Sequence, residues 1–284
     1  MKTKEAEERV MLWIMRFAAL SIVLVLGLII LSILIRGLPS LSWDMISQIP
    51  KGGFYYGKEG GILNAIIGSL YLSAGATLLA MIIGIPAALY INVYAARHDR
   101  MAAAARFFLD LLWGVPSIVY GAFAFSMMIL LGMRTSLLAG IVTVALFILP
   151  IMIRAIDEVL RSVSPGLSEA SYALGATRTQ TAFRVLVKQT MPGIITAILL
   201  SFGRAIGDAA AVLFTTGYTD HIPTSPDQPA ATLPLAIFFQ LSSPIPEVRD
   251  RAFAAAVVLT LIILIISLLA RWLSHKYEKR RIKF

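Results

Sequence analysis

Six long segments of the chain carry almost no charged side chains, and this pattern restricts the fold more than any other feature. Five of them contain no Asp, Glu, Lys or Arg, and the remaining one contains only Arg204 and Asp208. A helix that crosses a bilayer needs about 20 mainly apolar residues. We therefore predict an all-α, polytopic membrane protein with six transmembrane helices. The segments are residues 17–35, 60–96, 111–133, 135–153, 189–219 and 252–270.

Composition supports this class. The chain has 284 residues, of which 58% are hydrophobic and 14% are charged, whereas soluble domains carry about 25% charged residues. Cysteine is absent, which excludes disulfides, thiolate metal sites and cysteine nucleophiles. The three histidines, His98, His221 and His275, are far apart, and neither H-E-x-x-H nor G-x-S-x-G occurs. We expect no metal site, no cofactor and no enzyme activity in this chain.

Lysine and arginine predict the orientation. With six spans, 18 of the 25 basic residues lie on the side that holds both termini, and 6 lie on the other. This asymmetry places both termini in the cytoplasm. The net charge of +9 then reflects topology and contact with anionic lipid, since no basic stripe with interleaved aromatic residues suggests nucleic acid. The predicted parts are a cytoplasmic N-terminus (1–16), a membrane domain (17–274) with spans at about 14–36, 63–95, 108–132, 135–155, 190–217 and 251–273, and a basic tail (275–284).

The cytoplasmic loop 157–189, between spans four and five, carries signals for two short helices. Ser164-Pro165 is typical of an N-cap followed by proline at the first helical position. Gly175 stands where a left-handed residue ends such a helix. The pair Thr177 and Gln180 fits a capping box that begins a second helix. Two helices joined at a glycine would make a rigid cytoplasmic projection.

The same loop contains the motif Glu169-Ala170-Ser171, then three residues, then Gly175. It resembles the coupling loop of bacterial ABC importer permeases, with one departure: that pattern expects Leu-Pro where this chain has Val187-Lys188. The alternative is an ordinary amphipathic helix at the membrane surface.

Three further stretches resemble one particular group of ABC importer permeases. GGILNAIIGSLYL (60–72), LDLLWGVPSIVYGAFAF (109–125) and GRAIGDAAAVLFTTG (203–217) are similar to permeases of Pst-type phosphate importers, and LFTTG with TLP at 232–234 favours the A-type subunit. In that family a glutamate usually stands where this chain has Asp208. The C-type subunit and a permease for another oxyanion remain alternatives.

The resemblance implies the type I ABC importer permease fold in a bacterial inner membrane. It also implies a C-type permease partner, two cytosolic ATPase subunits on the coupling loop, and an external phosphate-binding protein. ATP and Mg²⁺ would be bound by the ATPases. Pro86 and Pro116, inside spans two and three, would serve as hinges because proline removes a helical hydrogen bond.

The charged residues of span five agree with this resemblance. An arginine at mid-span is unfavourable by about 2.5–3.5 kcal/mol and should face protein or water. Its planar fork suits two phosphate oxygens. We expect Arg204 to contact the anion and Asp208, four residues later on the same helical face, to hold the guanidinium. A purely structural ion pair is the alternative. Arg106 and Asp110 have the same spacing and predict a surface ion pair.

Three other interpretations are less well supported. Residues 52–58 read G-x-x-x-x-G-K, like a phosphate-binding P-loop, but Glu59 follows and the strand–loop–helix context is missing. A secondary transporter driven by ions would be expected to carry acidic residues in several spans, whereas only Asp208 is deep. A structural membrane scaffold would tolerate alanine at Arg204 and Asp208.

Overall fold

The computed structural model describes residues 2–51, 59–95 and 100–278, and helices make up most of this part. Three irregular helical stretches accompany the α-helices: a 3₁₀ turn at Leu38–Ser40 and π-helical segments at Tyr90–Tyr94 and Thr181–Leu186. A short antiparallel pair joins β1 (Pro50–Lys51) to β2 (Glu59–Gly60). The helices are α1 (Lys2–Gly37), α2 (Trp43–Ser47), α3 (Leu63–Leu89), α4 (Arg100–Gly114), α5 (Ser117–Leu130), α6 (Leu137–Arg161), α7 (Pro165–Ala173), α8 (Arg178–Gln180), α9 (Val187–Gly207), α10 (Leu233–Leu241) and α11 (Pro246–Glu278).

Within these described ranges, five helical segments are long and apolar enough to cross a membrane, and a bent pair would make a sixth. The bent pair is α4 and α5, whose axes differ by 96°. The predicted third span, at about 108–132 with a hinge at Pro116, corresponds to this bent pair and not to one continuous helix. Pro116 precedes α5 directly, and a proline at this point lacks the N–H that would continue α4. The polypeptide is a multi-pass, all-α membrane protein.

Three other predicted boundaries differ from the structure. Residues 2–16 belong to α1 and do not form a separate segment. The fifth span ends at Gly207 and not at residue 217. The loop predicted at 157–189 is shorter, because α6 continues to Arg161 and helical structure resumes at Arg178. The P-loop-like residues 52–58, His98 and the end of the basic tail lie outside the described residues.

The core is formed mainly by α3 and α6. One face of α6 presents large side chains at helical spacing, and Ile148, Met152 and Ile156 are fully buried there. The facing side of α3 is lined by small residues, and a Cβ atom on Gly84 would touch the side chain of Met152 at 3.6 Å. Small residues on one helix let the other approach closely, which is a common way of packing helices within a membrane. The facing small residues of α3 are Ala76, Ala80, Gly84 and Ala88.

The segment 208–232 has no long helix, yet it is bound to the first turn of α6. The amide of Ser136 donates to the carbonyl of Thr215 at 3.0 Å, and the amide of Leu137 donates to the carbonyl of Gln228 at 2.8 Å. These bonds satisfy amides that have no partner inside the helix. The segment is thereby fixed over the end of α6, next to the point where α9 ends.

Candidate functional site

Arg204 lies in the last turn of α9 with its side chain exposed. Its guanidinium carbon is 4.9 Å from the ring centroid of Phe147, a residue of α6 that is only 3% exposed. Among the residues that the structure describes, no carboxylate lies within 4.0 Å of this guanidinium. The arginine therefore rests on an aromatic face within a membrane helix, and no acidic side chain neutralises it there.

Asp208 does not pair with Arg204, so the expected shared helical face is wrong. Helix α9 ends at Gly207, and Asp208 has extended backbone angles (φ −85°, ψ 124°). Its Oδ1 atom accepts a hydrogen bond from the amide of Ala211 at 2.7 Å. Asp208 therefore acts as a cap for the turns that follow α9. The sequence contained a signal for this break, since glycine commonly ends a helix and aspartate commonly begins one.

The coupling-loop residues lie around the C-terminal end of α7. Gly175 has a φ of +82°, as predicted. Its amide donates to the carbonyl of Tyr172 at 2.9 Å, and the amide of Ala176 donates to the carbonyl of Ser171 at 3.1 Å. These two bonds define a Schellman motif. Pro165 occupies the first turn of α7 as expected, whereas the Ser164 side chain makes no capping bond.

The predicted capping box is confirmed, but it does not begin a separate helix. Thr177 Oγ1 accepts from the amide of Gln180 at 3.2 Å, and Gln180 Oε1 accepts from the amide of Thr177 at 2.9 Å. From Arg178 the helical structure continues through a π-helical segment into α9. The expectation of two short helices joined at a glycine is therefore wrong: one short helix is joined to the N-terminal extension of a spanning helix.

The motif residues divide into an outer and an inner set. Glu169 and Ala170 are exposed, and the neighbouring Leu174 is 89% exposed. Ser171 is buried, and its hydroxyl lies 2.9 Å from the hydroxyl of Thr181. This contact ties α7 to the π-helical base of α9. A force on α7 can therefore be transmitted into the spanning helix that carries Arg204.

A groove of about 530 Å³ lies beside α7. Its lining is mainly apolar, and two basic side chains from the α9 side border it. The outer surface of α7 thus combines an exposed leucine, an exposed glutamate and a recess large enough for side chains of another protein. The lining includes Leu167, Ala170, Leu174, Val185, Arg184 and Lys188.

Sequence analysis missed a buried ionic cluster centred on Asp157, whose side chain has no exposed surface. Arg106 binds this carboxylate at 3.1 Å, Arg154 binds it at 2.9 Å, and Asn92 donates to it at 2.7 Å. Asp110 pairs with Arg154 at 2.8 Å. The predicted Arg106–Asp110 pair is therefore wrong, because each residue instead binds a partner on α6. The available signal was the group of charged residues, Arg154, Asp157 and Glu158, near the end of an otherwise apolar helix.

The predicted hinge residues occupy different settings. Helix α3 continues past Pro86 to Leu89, where the π-helical segment begins. Pro116 stands at the 96° break between α4 and α5. Among the described residues, no group of three His, Cys, Asp or Glu side chains could hold a metal ion.

Comparison with known proteins relates this geometry to a family. Residues 80–283 match the model of the binding-protein-dependent transport system inner membrane component. The phosphate transport system permease protein PstA of Haemophilus influenzae is 32% identical over 249 residues, which are 87% of each chain. PstA 1 of Mycobacterium tuberculosis is 37% identical, over 78% of this chain and 73% of that protein.

Solved structures agree on the fold. A bacterial alginate ABC transporter, in complex with a periplasmic protein that binds an alginate pentasaccharide, matches with a TM-score of 0.63 at 17% identity, over 96% of both chains. An inward-facing MetNI methionine ABC transporter matches with a TM-score of 0.62 at 18% identity, over 76% of this chain and 95% of that one. The chain therefore belongs to the family of binding-protein-dependent transport system inner membrane components, and within it to the PstA group.

Proposed function

We propose that this chain is the A-type permease subunit of an ATP-driven importer of inorganic phosphate. The relatives named as phosphate transport permeases are 31–37% identical to it and cover most of its length. The chemistry of Arg204 supports the same substrate, because a guanidinium presents donors matched to phosphate oxygens. The observation that carries the proposal is this arginine, held in a spanning helix with no acidic partner among the described residues.

In this proposal Arg204 contacts phosphate as it passes, and Asp208 shapes the path by fixing the turn after α9. An anion that enters the membrane needs a positive partner, and a guanidinium without a bound carboxylate is available for one. Binding must also remain weak enough for release. An unneutralised charge on a polarisable ring meets both needs better than a rigid cage of several cations would.

The rest of the transporter consists of other chains. A C-type permease would complete the translocation path, and two cytosolic ATPase subunits would dock on α7 at Glu169 and Leu174. An external phosphate-binding protein would deliver the substrate. ATP and Mg²⁺ would be held by the ATPases. We place the assembly in a bacterial inner membrane, with both termini in the cytoplasm, on the basis of the distribution of basic residues.

ATP-driven closure of the ATPases would displace α7. The Ser171–Thr181 contact and the helix that extends from Arg178 to Gly207 would carry this displacement into the membrane. The break beside Pro116, and less directly Pro86, would let the spans alternate between outward-open and inward-open forms. This route is short, because only the turn at residues 174–177 separates α7 from the continuous helix that begins at Arg178.

Phosphate uptake into vesicles containing the complete reconstituted transporter tests the proposal. We expect Arg204→Gln to lower uptake by about 10- to 150-fold, the order of magnitude for loss of a charge-assisted contact, with assembly unchanged in size-exclusion chromatography. Arg204→Lys keeps the charge without the fork and should retain part of the activity. Unchanged uptake in Arg204→Gln would refute the role of this residue.

A second measurement separates phosphate from other oxyanions. Uptake of labelled phosphate is measured while unlabelled sulfate or molybdate is added in excess with the matching loaded binding protein. If unlabelled phosphate lowers the uptake of labelled phosphate and sulfate and molybdate do not, the result supports the proposed substrate. Preferred uptake of another oxyanion would leave the family assignment intact and replace the substrate.

A further inference from the structure

The ring beneath Arg204 is held in place by a second aromatic residue. Phe147 is almost fully buried, and Tyr120 of α5 packs against it edge to face, with 5.7 Å between ring centroids and 65° between ring planes. Edge-to-face contacts of this kind are favourable beyond the area that they bury. The guanidinium, the phenyl ring and the phenol ring therefore form one stack through α9, α6 and α5.

The hydroxyl end of the stack is fixed at the helix break. Tyr120 donates a hydrogen bond to the carbonyl of Leu112 at 2.9 Å. In an uninterrupted helix that carbonyl would accept from residue 116, but Pro116 has no N–H to donate. Tyr120 supplies a donor to the carbonyl that the proline leaves without its helical partner. The amide of Val115 also reaches the same carbonyl at 3.2 Å.

Gly121, the residue after Tyr120, fixes the position of α5 against the turns that follow α9. A Cβ atom on Gly121 would approach the carbonyl oxygen of Ala211 to 2.7 Å, so the two backbones are in direct contact at this point. Asp208 caps the same turn through the amide of Ala211. Helix α5 therefore braces both the ring under Arg204 and the backbone that leads away from it.

We propose that Phe147 and Tyr120 are positioning residues for phosphate transport: Phe147 holds the Arg204 guanidinium through its ring face, and Tyr120 ties that ring to the bend between α4 and α5. The inference rests on the proposed function, since it assumes that Arg204 contacts the anion. None of the Arg204 donors is hydrogen-bonded to a described residue. The ring thus orients the group without occupying the N–H fork that phosphate would use.

The test changes the electron density of the ring while keeping its shape. Mono-, di- and trifluorophenylalanine are incorporated at position 147 of the complete transporter, and phosphate uptake is measured in vesicles. Each fluorine weakens the negative potential of the ring face, so uptake should fall stepwise. The trifluoro ring should lose about two- to fivefold, the order expected for a cation–π contact at an exposed site. Uptake that does not depend on fluorination would overturn the role of Phe147.

Tyr120 is tested by a graded pair of substitutions. Tyr120→Phe keeps the ring contact and loses the bond to Leu112, whereas Tyr120→Leu loses both, so uptake should decrease in the order wild type, Tyr120→Phe, Tyr120→Leu. Phe123→Leu, which removes a 58% exposed ring from the same helix, is the matched control and should leave uptake within about twofold, since it loses no buried contact. Equal uptake in the two Tyr120 variants and the wild type would overturn the role of this residue.

These outcomes separate the two proposals. If Arg204→Gln abolishes uptake while fluorination at 147 and both Tyr120 variants have no effect, the proposed function stands and the positioning role fails. If Arg204→Gln has no effect, the role of Arg204 in transport fails first, and the aromatic stack loses its assigned purpose with it. Assembly of each variant is checked by size-exclusion chromatography, so that a folding defect is not mistaken for either result.

Discussion

Replacement of Asp157 by asparagine should destabilise the protein far more than the same replacement at Asp110. Asp157 has no exposed side-chain surface and binds Arg106, Arg154 and Asn92, whereas the side chain of Asp110 is 50% exposed and, among the described residues, pairs with Arg154 alone. Both changes remove one negative charge and keep nearly the same volume. The comparison therefore isolates burial and the number of charged partners.

The magnitude follows from what each carboxylate neutralises. Removal of one member of a buried ion pair costs about 3–5 kcal/mol, because the other charge is left without compensation. The side chains of Arg106 and Arg154 are 20% and 23% exposed, so water and lipid headgroups would recover part of that cost. We expect Asp157→Asn to lower the free energy of unfolding by about 2–3 kcal/mol, which is about a 30- to 150-fold change in the unfolding equilibrium constant. Asp110→Asn should cost about 0–1 kcal/mol, as exposed pairs do.

Titration of sodium dodecyl sulfate into detergent micelles, followed by circular dichroism, measures both free energies of unfolding. The double variant should cost more than the sum of the single ones, because Arg154 keeps one carboxylate in each single variant and loses both in the double variant. An equal loss at the two positions, or a loss below about 1 kcal/mol at Asp157, would refute the assignment of Asp157 as the centre of the cluster.

Two further predictions concern the coupling loop. Gly175→Ala should lower ATP-dependent uptake because the left-handed backbone costs a residue with a Cβ atom about 1–2 kcal/mol, and Gly175→Asn should retain more activity, since asparagine tolerates this conformation; equal activity of the two variants would contradict the Schellman account. The absence of cysteine makes Leu174→Cys a single-thiol protein, and a membrane-impermeant maleimide should label it in inverted vesicles but not in intact spheroplasts. The matched variant His221→Cys should give the opposite result, and labelling of Leu174→Cys from outside would refute the predicted orientation.

Features set by local sequence were predictable. The uncharged runs required membrane helices, the left-handed turn at Gly175 required a residue without a side chain, and the Thr177–Gln180 box needed only three residues of spacing. Each depends on groups that are close in sequence. The resemblance of the loop to ABC importer permeases led to the right family for the same reason. Its motif is short and local, and it lies between two segments that are recognisable as spans.

Features set by contacts between distant residues were not predictable in this way. Arg106 could pair with Asp110 on its own helix, but α6 supplies Asp157, which is more completely surrounded by donors. Likewise, i,i+4 spacing places Arg204 beside Asp208 only if the helix continues. The Gly207-Asp208 pair is a local signal that the helix ends, but i,i+4 spacing alone does not take it into account.

Helix α4 is fixed to α6 at two points, by contacts of different strength. Near its middle, α4 is held to α6 by Arg106 and Asp110. At its C-terminal end, the carbonyl of Leu112 is held by Tyr120, which itself packs against α6 at Phe147.

Phe147 and Asp157 are about 15 Å apart along α6 at the rise of an α-helix, so the bend between α4 and α5 is braced at two points of one continuous helix. The angle of this bend cannot change unless one of the two attachments opens. A neutral hydrogen bond contributes about 0.5–1.5 kcal/mol, and the ionic cluster contributes several charge-assisted bonds, each stronger. The Tyr120 attachment therefore opens first, and a movement at the bend would alter the support of Arg204 before it separates α4 from α6.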